Sequence, residues 1–351
     1  MREIPTRKPT LLLTGASGVL GRAMIDELSR DHELVCLRNR KKINDPRVTE
    51  FAGSFDHPTL GLDATEYANL VRRLTGVIHS AAATNWKAHP DKIRATNLGG
   101  PTALLRLAAA ADAPLYFFST AFVASPPPTD GRFPGAVSYI QSKIDAEELV
   151  RSSPVPTVIV RPSLVTGDSV DGRMSAFQGL HRMMGGIVRG LVPMVPTEPN
   201  SLIDAVPQDL VTAIIGKLVR QRITEGEYWI TAGTEALSST ELVDLCVDMS
   251  ARLGVNAFRP RFIPSEAVDR LLLPLMDDVL TDDLRTMFTE FLESLWLFQN
   301  PAPLPSSVAQ LGFGHRVTRD ALYDATERSL YYWAKVKGLA HDDGAELARA
   351  A

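Results

Sequence analysis

The sequence is poor in cysteine, has no long apolar run and carries no excess of one charge. It has only two cysteines, Cys36 and Cys246, among 351 residues, which provide neither a disulfide framework nor a cysteine-ligated metal site and favour a reducing compartment. Lys plus Arg number 37 against 41 Asp plus Glu, a net charge of −4, so no global field attracts nucleic acid. No apolar run reaches the roughly 18 residues of a membrane helix, and the N-terminus lacks the apolar core of a signal peptide. We therefore expect a soluble, cytoplasmic protein without metal, nucleic-acid or membrane partners.

The chain does have the composition of a globular protein and a regular alternation of short apolar runs with helical segments. Hydrophobic residues make up 45% and charged residues 22%, and the length suggests about two domains. Helices are predicted at 19–30 and 91–111. Strands that alternate with helices predict an α/β fold with a doubly wound parallel Rossmann sheet. The predicted strands are 10–14, 33–38, 48–52, 76–81, 114–119 and 156–161.

The pattern changes after about residue 165. Apolar periodicity predicts further helices, and a short strand is predicted at 228–230. We predict an NADP-binding Rossmann domain over 1–170, to which 201–235 returns. The remaining segments, 171–200 and 236–351, are predicted to form a smaller, mainly helical C-terminal lid that binds substrate. The predicted helices of this half are 175–190, 205–221, 265–298 and 317–337.

A glycine-rich turn follows the first predicted strand, with the pattern G-x-x-G-x-x-G. Gly15 permits a tight turn, Gly18 lets backbone N–H groups approach a pyrophosphate, and Gly21 lets the next helix pack on the strand. An ordinary glycine-rich turn is the alternative, but the place after the first strand favours dinucleotide binding. The predicted cofactor contacts here are Thr14, Gly15, Ser17, Gly18, Val19, Leu20 and Gly21.

A basic segment, residues 38–42, ends the second predicted strand and contains no carboxylate. At this place an acidic residue binds the ribose of NAD, whereas an arginine accommodates the 2′-phosphate of NADP. We therefore predict NADP(H) as the cofactor, with Arg38 and Arg40 at its phosphate. A solvent-exposed basic loop is the alternative.

Tyr139 and Lys143 are four residues apart on a predicted helix between the fifth and sixth strands, so they share a face. An ammonium one turn from a phenol lowers the tyrosine pKa, which makes Tyr139 a proton donor nearer neutral pH. Tyr331 and Lys335 have the same spacing, but they lie far from any predicted sheet strand. We attribute this second pair to chance.

Polar residues also occur near the carboxyl ends of the fourth and fifth strands, the edge where ligands bind in such sheets. Ser119 and Thr120 end the fifth strand, and either hydroxyl would hold a substrate carbonyl near Tyr139. Asn97, on the helix after the fourth strand, would hold backbone or water near this edge. We expect His79, inside the fourth strand, to be structural.

Together these residues resemble an extended short-chain dehydrogenase/reductase. They are most similar to the branch that contains fatty acyl-CoA reductases and the terminal thioester reductase domains of peptide and polyketide synthases, with a male-sterility-type NAD-binding domain. One departure is Gly53-Ser54, with Asp56 displaced, where the family has Gly-Asp near the adenine. The similar segments cover most of the first two-thirds of the chain: 14–21, 60–62, 77–86, 97–100, 118–123, 139–143, 161–167 and 203–209.

The resemblance implies that Thr120, Tyr139 and Lys143 form the catalytic set. It also implies contacts to cofactor and substrate beyond the glycine-rich turn. The implied cofactor contacts are Ser54, Ala81, Ala82, Ser119, Tyr139, Lys143, Pro162, Ser163 and Val165, and the implied substrate contacts are Thr84, Trp86, Phe122 and Met183.

The function that these residues and the resemblance indicate is NADPH-dependent reduction of an acyl thioester, on coenzyme A or on a carrier protein, to an aldehyde and then to an alcohol if a second hydride follows. An NADP-dependent ketone, aldehyde or alcohol oxidoreductase is the first alternative, because the same catalytic set serves both. A nucleotide-sugar epimerase or dehydratase and a non-catalytic NADPH-sensing protein are further alternatives. The acyl group and the oligomeric state stay open.

Overall fold

A computed structural model describes residues 8–84, 89–125, 133–264 and 292–340. Trp86 and most of the helix predicted at 265–298 lie outside these residues. The chain divides into two compact units. The first consists of Met1–Ser163, Gln208–Thr231 and Pro305–Gly314, and the second of Leu164–Pro207, Ala232–Leu304 and His315–Ala351. The domain boundaries drawn from the sequence stay a prediction.

The elements alternate along the first half and become shorter after it. The strands are β1 (Thr10–Thr14), β2 (Glu33–Arg38), β3 (Val48–Ala52), β4 (Leu74–His79), β5 (Leu115–Phe118), β6 (Thr157–Pro162), β7 (Leu164–Thr166), β8 (Met194–Val195), β9 (Leu202–Ile203), β10 (Ala205–Pro207), β11 (Gly226–Ile230), β12 (Leu237–Ser238), β13 (Arg261–Phe262) and β14 (Gln299–Asn300). The helices are α1 (Val19–Leu28), α2 (Ala64–Arg73), α3 (Pro90–Ala111), α4 (Pro134–Arg151), α5 (Gly179–Val188), α6 (Gln208–Arg220), α7 (Ser239–Arg252) and α8 (Arg319–Val336).

The first unit is built on a seven-stranded sheet in the order β11-β6-β5-β4-β1-β2-β3. Every neighbouring pair in it is parallel. The chain leaves β1 towards β2 on one side and returns to β4 on the other, so the order reverses at β1. This confirms the doubly wound Rossmann sheet, and it places the switch point at the carboxyl ends of β1 and β4, where such sheets bind ligands.

The central strands of the sheet are buried because they are apolar on both sides and helices cover them. Leu12 of β1 and Phe117 of β5 belong to a core that packs under α2, α3 and α4. Leu11 and Leu13 are also buried, and because side chains alternate along a strand they face the other side of the sheet. On the helical layers, α1 packs against α6 and α3 against α4.

One predicted helix is corrected at its start. Helix α6 begins at Gln208 instead of at 205. The residues Ala205–Pro207 form β10 and pair in parallel with β7, because Pro207 has no N–H to donate to a helix and a strand partner lies beside it. The prediction missed this pairing since β7 is far away in sequence.

The second unit combines helices with very short strands. Helices α5, α7 and α8 pack on one another, and residues 292–298 are helical. The small sheets pair β7 with β10, β8 with β13, and β9 with both β12 and β14. Each of these strands has two or three residues, too few for an alternating pattern to predict them from sequence.

Candidate active site

The glycine-rich turn between β1 and α1 has the shape that its sequence predicts. Gly15 has φ +77°, and a Cβ there would lie 2.6 Å from the Ala81 nitrogen and from Ser80 Oγ. A Cβ at Gly21 would overlap the Gly15 carbonyl oxygen. Gly15 is therefore required by a left-handed conformation and by the approach of the loop after β4, and Gly21 by close packing of α1 on the turn.

The N-terminus of α1 is open to an anion. Gly18 is its N-cap residue, no side chain caps the helix, and its first turn contains no acidic residue. The free backbone N–H groups and the helix dipole favour negative charge at this end. These features fit the pyrophosphate of a dinucleotide, with Thr14, Ser17, Val19 and Leu20 lining the same turn.

The end of β2 presents a basic cluster, but its first arginine has a carboxylate partner. Arg38 Nε lies 3.5 Å from Glu50 Oε2, which also accepts a hydrogen bond of 2.7 Å from the Ile43 nitrogen. Arg40 is exposed. The pairing arises from strand register. Glu50 of β3 stands opposite Cys36 of β2, which is two residues from Arg38 on the same strand. Sequence reasoning missed Glu50, because no local signal links it to the end of β2.

The turn after β3 differs from the family pattern in a definite way. Ser54 Oγ donates to Asp56 Oδ2 at 3.1 Å and accepts from the Asp56 nitrogen at 3.2 Å. Both residues are exposed. The displaced carboxylate is thus tied to the serine that replaces it, and Phe55 between them stacks edge-on against His79 at 5.6 Å.

Thr120 and Tyr139 meet at the carboxyl end of β5. Both side chains are buried, and the Thr120 side chain forms a hydrogen bond with the Tyr139 hydroxyl. Thr120 Oγ1 also accepts from the Phe122 nitrogen at 3.4 Å, at the start of a short 3-10 helix. Ser119, the other candidate, lies instead near the Glu147 carboxylate. The structure therefore brings Thr120 to the tyrosine.

Lys143 lies one turn along α4 from Tyr139 and is only 3% exposed. Its Nζ donates to the Phe118 carbonyl oxygen at 2.8 Å and lies 5.1 Å from the centre of the Phe117 ring. Burial lowers the Lys143 pKa to about 8, and the negative charge of Glu147 opposes this shift. The ammonium is thus held at the carboxyl end of β5, close to losing its proton at physiological pH.

The expected lowering of the tyrosine pKa is not found. Burial raises the pKa of Tyr139 to about 12, and the Thr120 hydrogen bond offsets only part of that increase. The prediction considered the charge of Lys143 but not the desolvation of the phenol, which disfavours a tyrosinate inside the protein. The Tyr139 hydroxyl is accordingly protonated at neutral pH.

A charge network that the sequence did not reveal lies one turn further along α4. Arg161 of β6 donates to both oxygens of Glu147, at 2.8 and 2.7 Å, and Arg151 donates to the same carboxylate at 2.6 Å. Burial opposes the ionisation of Glu147, but the bonds and charge of Arg161 outweigh it, so its pKa is below the usual value. The Arg161 guanidinium stacks 4.5 Å from the Trp229 ring centre.

Asn97 joins the loop after β4 to the helix that carries Tyr139. Its Oδ1 accepts from the Ala83 nitrogen at 2.7 Å, and its Nδ2 donates to Ser142 Oγ at 2.9 Å. Ser142 Oγ in turn donates to the Tyr139 carbonyl oxygen at 2.7 Å. The amide therefore holds backbone at this edge, which is one of the two roles considered for it.

The other predicted contacts lie partly in the first unit and partly in the second. Ala81, Ala82 and Thr84 follow β4, and Thr84 is exposed. Pro162 ends β6, and Ser163 follows it. Ser163 Oγ is buried and has no hydrogen-bond partner among the described residues, so it fits a ligand polar group. Within the first unit, Phe122 is buried beside Thr120. Val165 and Met183 lie in the second unit, where Met183 of α5 lines a cavity of about 20 Å³.

His79 and the cysteines have structural surroundings. His79 Nδ1 shares a 2.7 Å hydrogen bond with Thr14 Oγ1. Burial and the charge of Lys143 lower its pKa to about 3, so the ring is neutral. Cys36 and Cys246 are unpaired and buried, and burial raises the Cys36 pKa to about 12.

Within the described part of the chain, no cluster of His, Cys, Asp or Glu is arranged for a metal ion, and none of its helices is long and apolar enough to span a bilayer.

Three comparisons relate the chain to known proteins. The family model described as male sterility protein, an NAD-binding domain, matches residues 36–133 and 127–215. A highly reducing polyketide synthase of Penicillium decumbens is 28% identical over 203 residues, which are 50% of this chain and 7% of that protein. The isonitrile lipopeptide synthase of Streptomyces coeruleorubidus is 28% identical over 247 residues, 59% of this chain and 17% of that protein. The chain thus spans only a small part of these two synthases.

A solved structure matches nearly the whole chain. The terminal R domain from the myxalamid PKS-NRPS biosynthetic pathway superimposes with a TM-score of 0.71 at 26% identity. The match covers 96% of this chain and 94% of that domain, so it includes residues beyond the seven-stranded sheet.

Proposed function

The chain belongs to the male sterility protein family of NAD-binding domains and is an NAD(P)-dependent oxidoreductase of the extended short-chain dehydrogenase/reductase type; on this premise we propose that it reduces an acyl thioester to an aldehyde with NADPH. Family membership confirms the resemblance that the motifs indicated. The substrate, the preference for NADPH and the residue roles are parts of the proposal.

The observation that carries the proposal is the meeting of Thr120, Tyr139 and Lys143 at the carboxyl end of β5. Thr120 is hydrogen-bonded to Tyr139, and Lys143 Nζ is held at the Phe118 carbonyl by a 2.8 Å bond. The same edge of the sheet carries the glycine-rich turn. A carbonyl bound between the two hydroxyls would therefore lie near a dinucleotide on that turn.

The reaction needs a hydride, a proton and a site for negative charge. Bound NADPH supplies the hydride to the thioester carbonyl carbon. The hydroxyls of Thr120 and Tyr139 hydrogen-bond the carbonyl oxygen and stabilise the charge that develops on it, and Tyr139 gives that oxygen its proton. Lys143 stabilises the resulting tyrosinate with its ammonium. The C–S bond of the hemithioacetal then breaks, which releases an aldehyde and a thiol, and a second hydride would give an alcohol.

The selection of NADPH is assigned to the basic end of β2. Arg38 is held by Glu50 at 3.5 Å, and its Nη1 donates to the Asn39 carbonyl oxygen at 3.3 Å. The next three cations, Arg40, Lys41 and Lys42, are exposed. A 2′-phosphate would bring negative charge to these exposed cations.

Arg38→Ala tests this assignment. We expect the Kd for NADPH to rise by at least about tenfold, the value of one charge-assisted contact, and the Kd for NADH to stay within about twofold. Lys42→Ala, which removes one exposed charge from the same loop, is the control. Equal losses for the two cofactors would contradict the 2′-phosphate role.

The acyl group must arrive as a thioester. The relatives are polyketide and lipopeptide synthases, and the superimposed R domain comes from a PKS-NRPS pathway. These likenesses support a carrier-bound acyl group, and acyl coenzyme A is the alternative substrate. The two buried, unpaired cysteines are compatible with a cytoplasmic site of action, which is also part of the proposal.

The deciding experiment follows NADPH oxidation against two panels. One contains acyl thioesters of a carrier protein, of pantetheine and of coenzyme A, and the other contains the matching aldehydes and ketones. We expect oxidation with thioesters and release of one thiol per aldehyde formed. Oxidation with free carbonyls alone would replace the proposal by its first alternative, a ketone, aldehyde or alcohol oxidoreductase.

A further inference from the structure

Two large apolar side chains of the second unit are exposed on neighbouring segments. Leu191 is 70% and Phe258 51% exposed. The residues just before them are close together, because a Cβ at Gly190 would lie 3.5 Å from Ala257 Cα. Exposed apolar side chains that cluster in this way are typical of an interaction surface.

Backbone hydrogen bonds hold the two segments side by side. The Arg261 nitrogen donates to the Pro193 carbonyl at 3.0 Å, and the Ile263 nitrogen donates to the Val195 carbonyl at 3.1 Å. These bonds extend the parallel pairing of β8 with β13. The apolar pair is therefore fixed on ordered backbone.

The same two segments carry only positive charge. Residues 179–193 contain two arginines and residues 251–264 contain three, and neither segment contains Asp or Glu, although the whole chain has a net charge of −4. Arg189 follows α5 and stacks 5.0 Å from the Trp333 ring centre. Arg182 lies two turns earlier on the same face of that helix.

Two of these arginines remain available for a partner. Arg259 pairs with Asp244. Arg182 and Arg261 are exposed and form no ion pair with any other residue that the structure describes. The surface thus combines uncompensated positive charge with a Leu and a Phe. We name it the docking face: Arg182, Arg189, Leu191, Phe258, Arg259 and Arg261.

We propose that the docking face binds an acidic carrier protein, the partner that presents the acyl thioester for reduction. This inference rests on the proposed thioester reductase function and adds the surface that recognises the partner. Charge complementarity selects an acidic partner and raises its association rate. Leu191 and Phe258 provide the apolar centre that such a contact buries, with arginines around it.

A carrier protein explains the face better than coenzyme A does. The phosphates of coenzyme A would engage the arginines but would leave Leu191 and Phe258 in water. A protein surface covers both kinds of side chain at once. The same face therefore predicts that a carrier-bound acyl group is a better substrate than the same acyl group on a small thiol.

The test compares one acyl group on two carriers. Octanoyl acyl carrier protein and S-octanoyl-pantetheine are reduced by the wild-type chain and by the charge-reversed double variant Arg182→Glu/Arg261→Glu. We expect kcat/KM for the protein substrate to fall by at least about tenfold, mainly through KM, with the pantetheine value within about twofold of wild type. A Leu191→Ser/Phe258→Ser variant should show the same selectivity.

The matched control is Arg30→Glu/Arg106→Glu, which reverses two exposed arginines of the first unit and should leave both substrates unchanged. In addition, raising NaCl should lower kcat/KM for the protein substrate only, since salt screens exposed charges. An equal loss for both substrates, or no loss for the protein substrate, would overturn the docking face.

Calorimetric binding separates this proposal from the proposed function. If neither thioester is reduced, the thioester reductase function fails, but binding of octanoyl acyl carrier protein to the wild-type chain is still measurable. Binding that the double variant loses and the control variant keeps supports the docking face. Absent binding, or equal binding by all three proteins, overturns it.

Discussion

Consecutive turns of α4 bury charged side chains in opposite ways. In the turn of Tyr139 and Lys143, the ammonium donates to a neutral carbonyl at 2.8 Å, and no carboxylate among the described residues pairs with it. In the next turn, Glu147 receives two hydrogen bonds from Arg161, at 2.8 and 2.7 Å. The turn of Lys143 leaves a buried ammonium without a counter-ion among the described residues. The turn of Glu147 pairs a buried carboxylate with a buried guanidinium.

The difference shows where the fold maximises stability and where it does not. The Glu147 carboxylate remains charged because Arg161 outweighs its burial. Lys143 has a pKa lowered to about 8 and Tyr139 one raised to about 12, each chiefly by burial. Buried groups with pKa values shifted this far are typical of functional sites. The turn with unmatched charge is the one assigned to catalysis.

The largest expected effect comes from removing the proton donor. Tyr139→Phe should lower kcat for thioester reduction about 10³-fold, the usual contribution of a positioned proton donor, with little change in the Kd for NADPH. Steady-state NADPH oxidation and cofactor fluorescence measure the two quantities. Tyr331→Phe alters the other tyrosine with a lysine four residues on, and it should have wild-type activity. Full activity of Tyr139→Phe would refute its assigned role.

The next largest effect should come from the matched turn. Glu147→Gln leaves the buried Arg161 with only the partly exposed Glu227 as its counter-ion. The free energy of unfolding should therefore fall by about 3 kcal/mol, the low end of the cost of breaking a buried ion pair. Urea denaturation measures this loss, and Glu148→Gln, which changes the exposed neighbour, is the control. A loss no greater than that of the control would mean that the two turns do not differ in charge matching.

Lys143→Met should stabilise the fold while it abolishes activity. The Lys143 pKa is lowered from 10.5 to about 8, so below pH 8 the folded chain bears the cost of a buried ammonium. Between pH 8 and 10.5 the unfolded state binds more protons, and the wild-type stability contributed by this group rises with pH. The variant should therefore be more stable by about 2 kcal/mol at pH 7, with the advantage shrinking towards pH 10.

Urea denaturation at both pH values checks this dependence. Two outcomes would contradict a buried Lys143 ammonium without a counter-ion. One is a variant that is less stable than wild type at pH 7, and the other is a gain in the free energy of unfolding that is the same at pH 7 and pH 10.

The smallest effect is expected at the outer edge of the matched turn. The Arg151 side chain is 46% exposed although it pairs with Glu147, and ion pairs open to solvent contribute little. Arg151→Gln should lower the free energy of unfolding by less than about 1 kcal/mol, and the loss should shrink in high salt. A loss as large as that of Glu147→Gln would show that the network, and not the buried Arg161 alone, keeps Glu147 charged.

Local patterns predicted the sheet and the shape of the glycine-rich turn well. The bounds of β1, β2 and β3 agree with the structure. For β1 and β2 the reason is that a strand buried on both faces is a continuous apolar run in the sequence, whereas β3 is a partly exposed edge strand with mixed side chains. Pattern failed where a partner distant in sequence decided the conformation. Pro207 was assigned to a helix, but it lies in β10 because β7 pairs with it.

The candidate site divides in the same way. Sequence alone determined the glycine-rich turn, the helix that carries Tyr139 and Lys143, and the hydroxyls at the end of β5, since each depends on a few consecutive residues. Only the tertiary structure decided that Thr120 meets Tyr139 and that Glu50 stands beside Arg38. It also reversed the expected shift of the tyrosine pKa. Burial and long-range pairing are set by segments far apart in the chain, so no local pattern contains them.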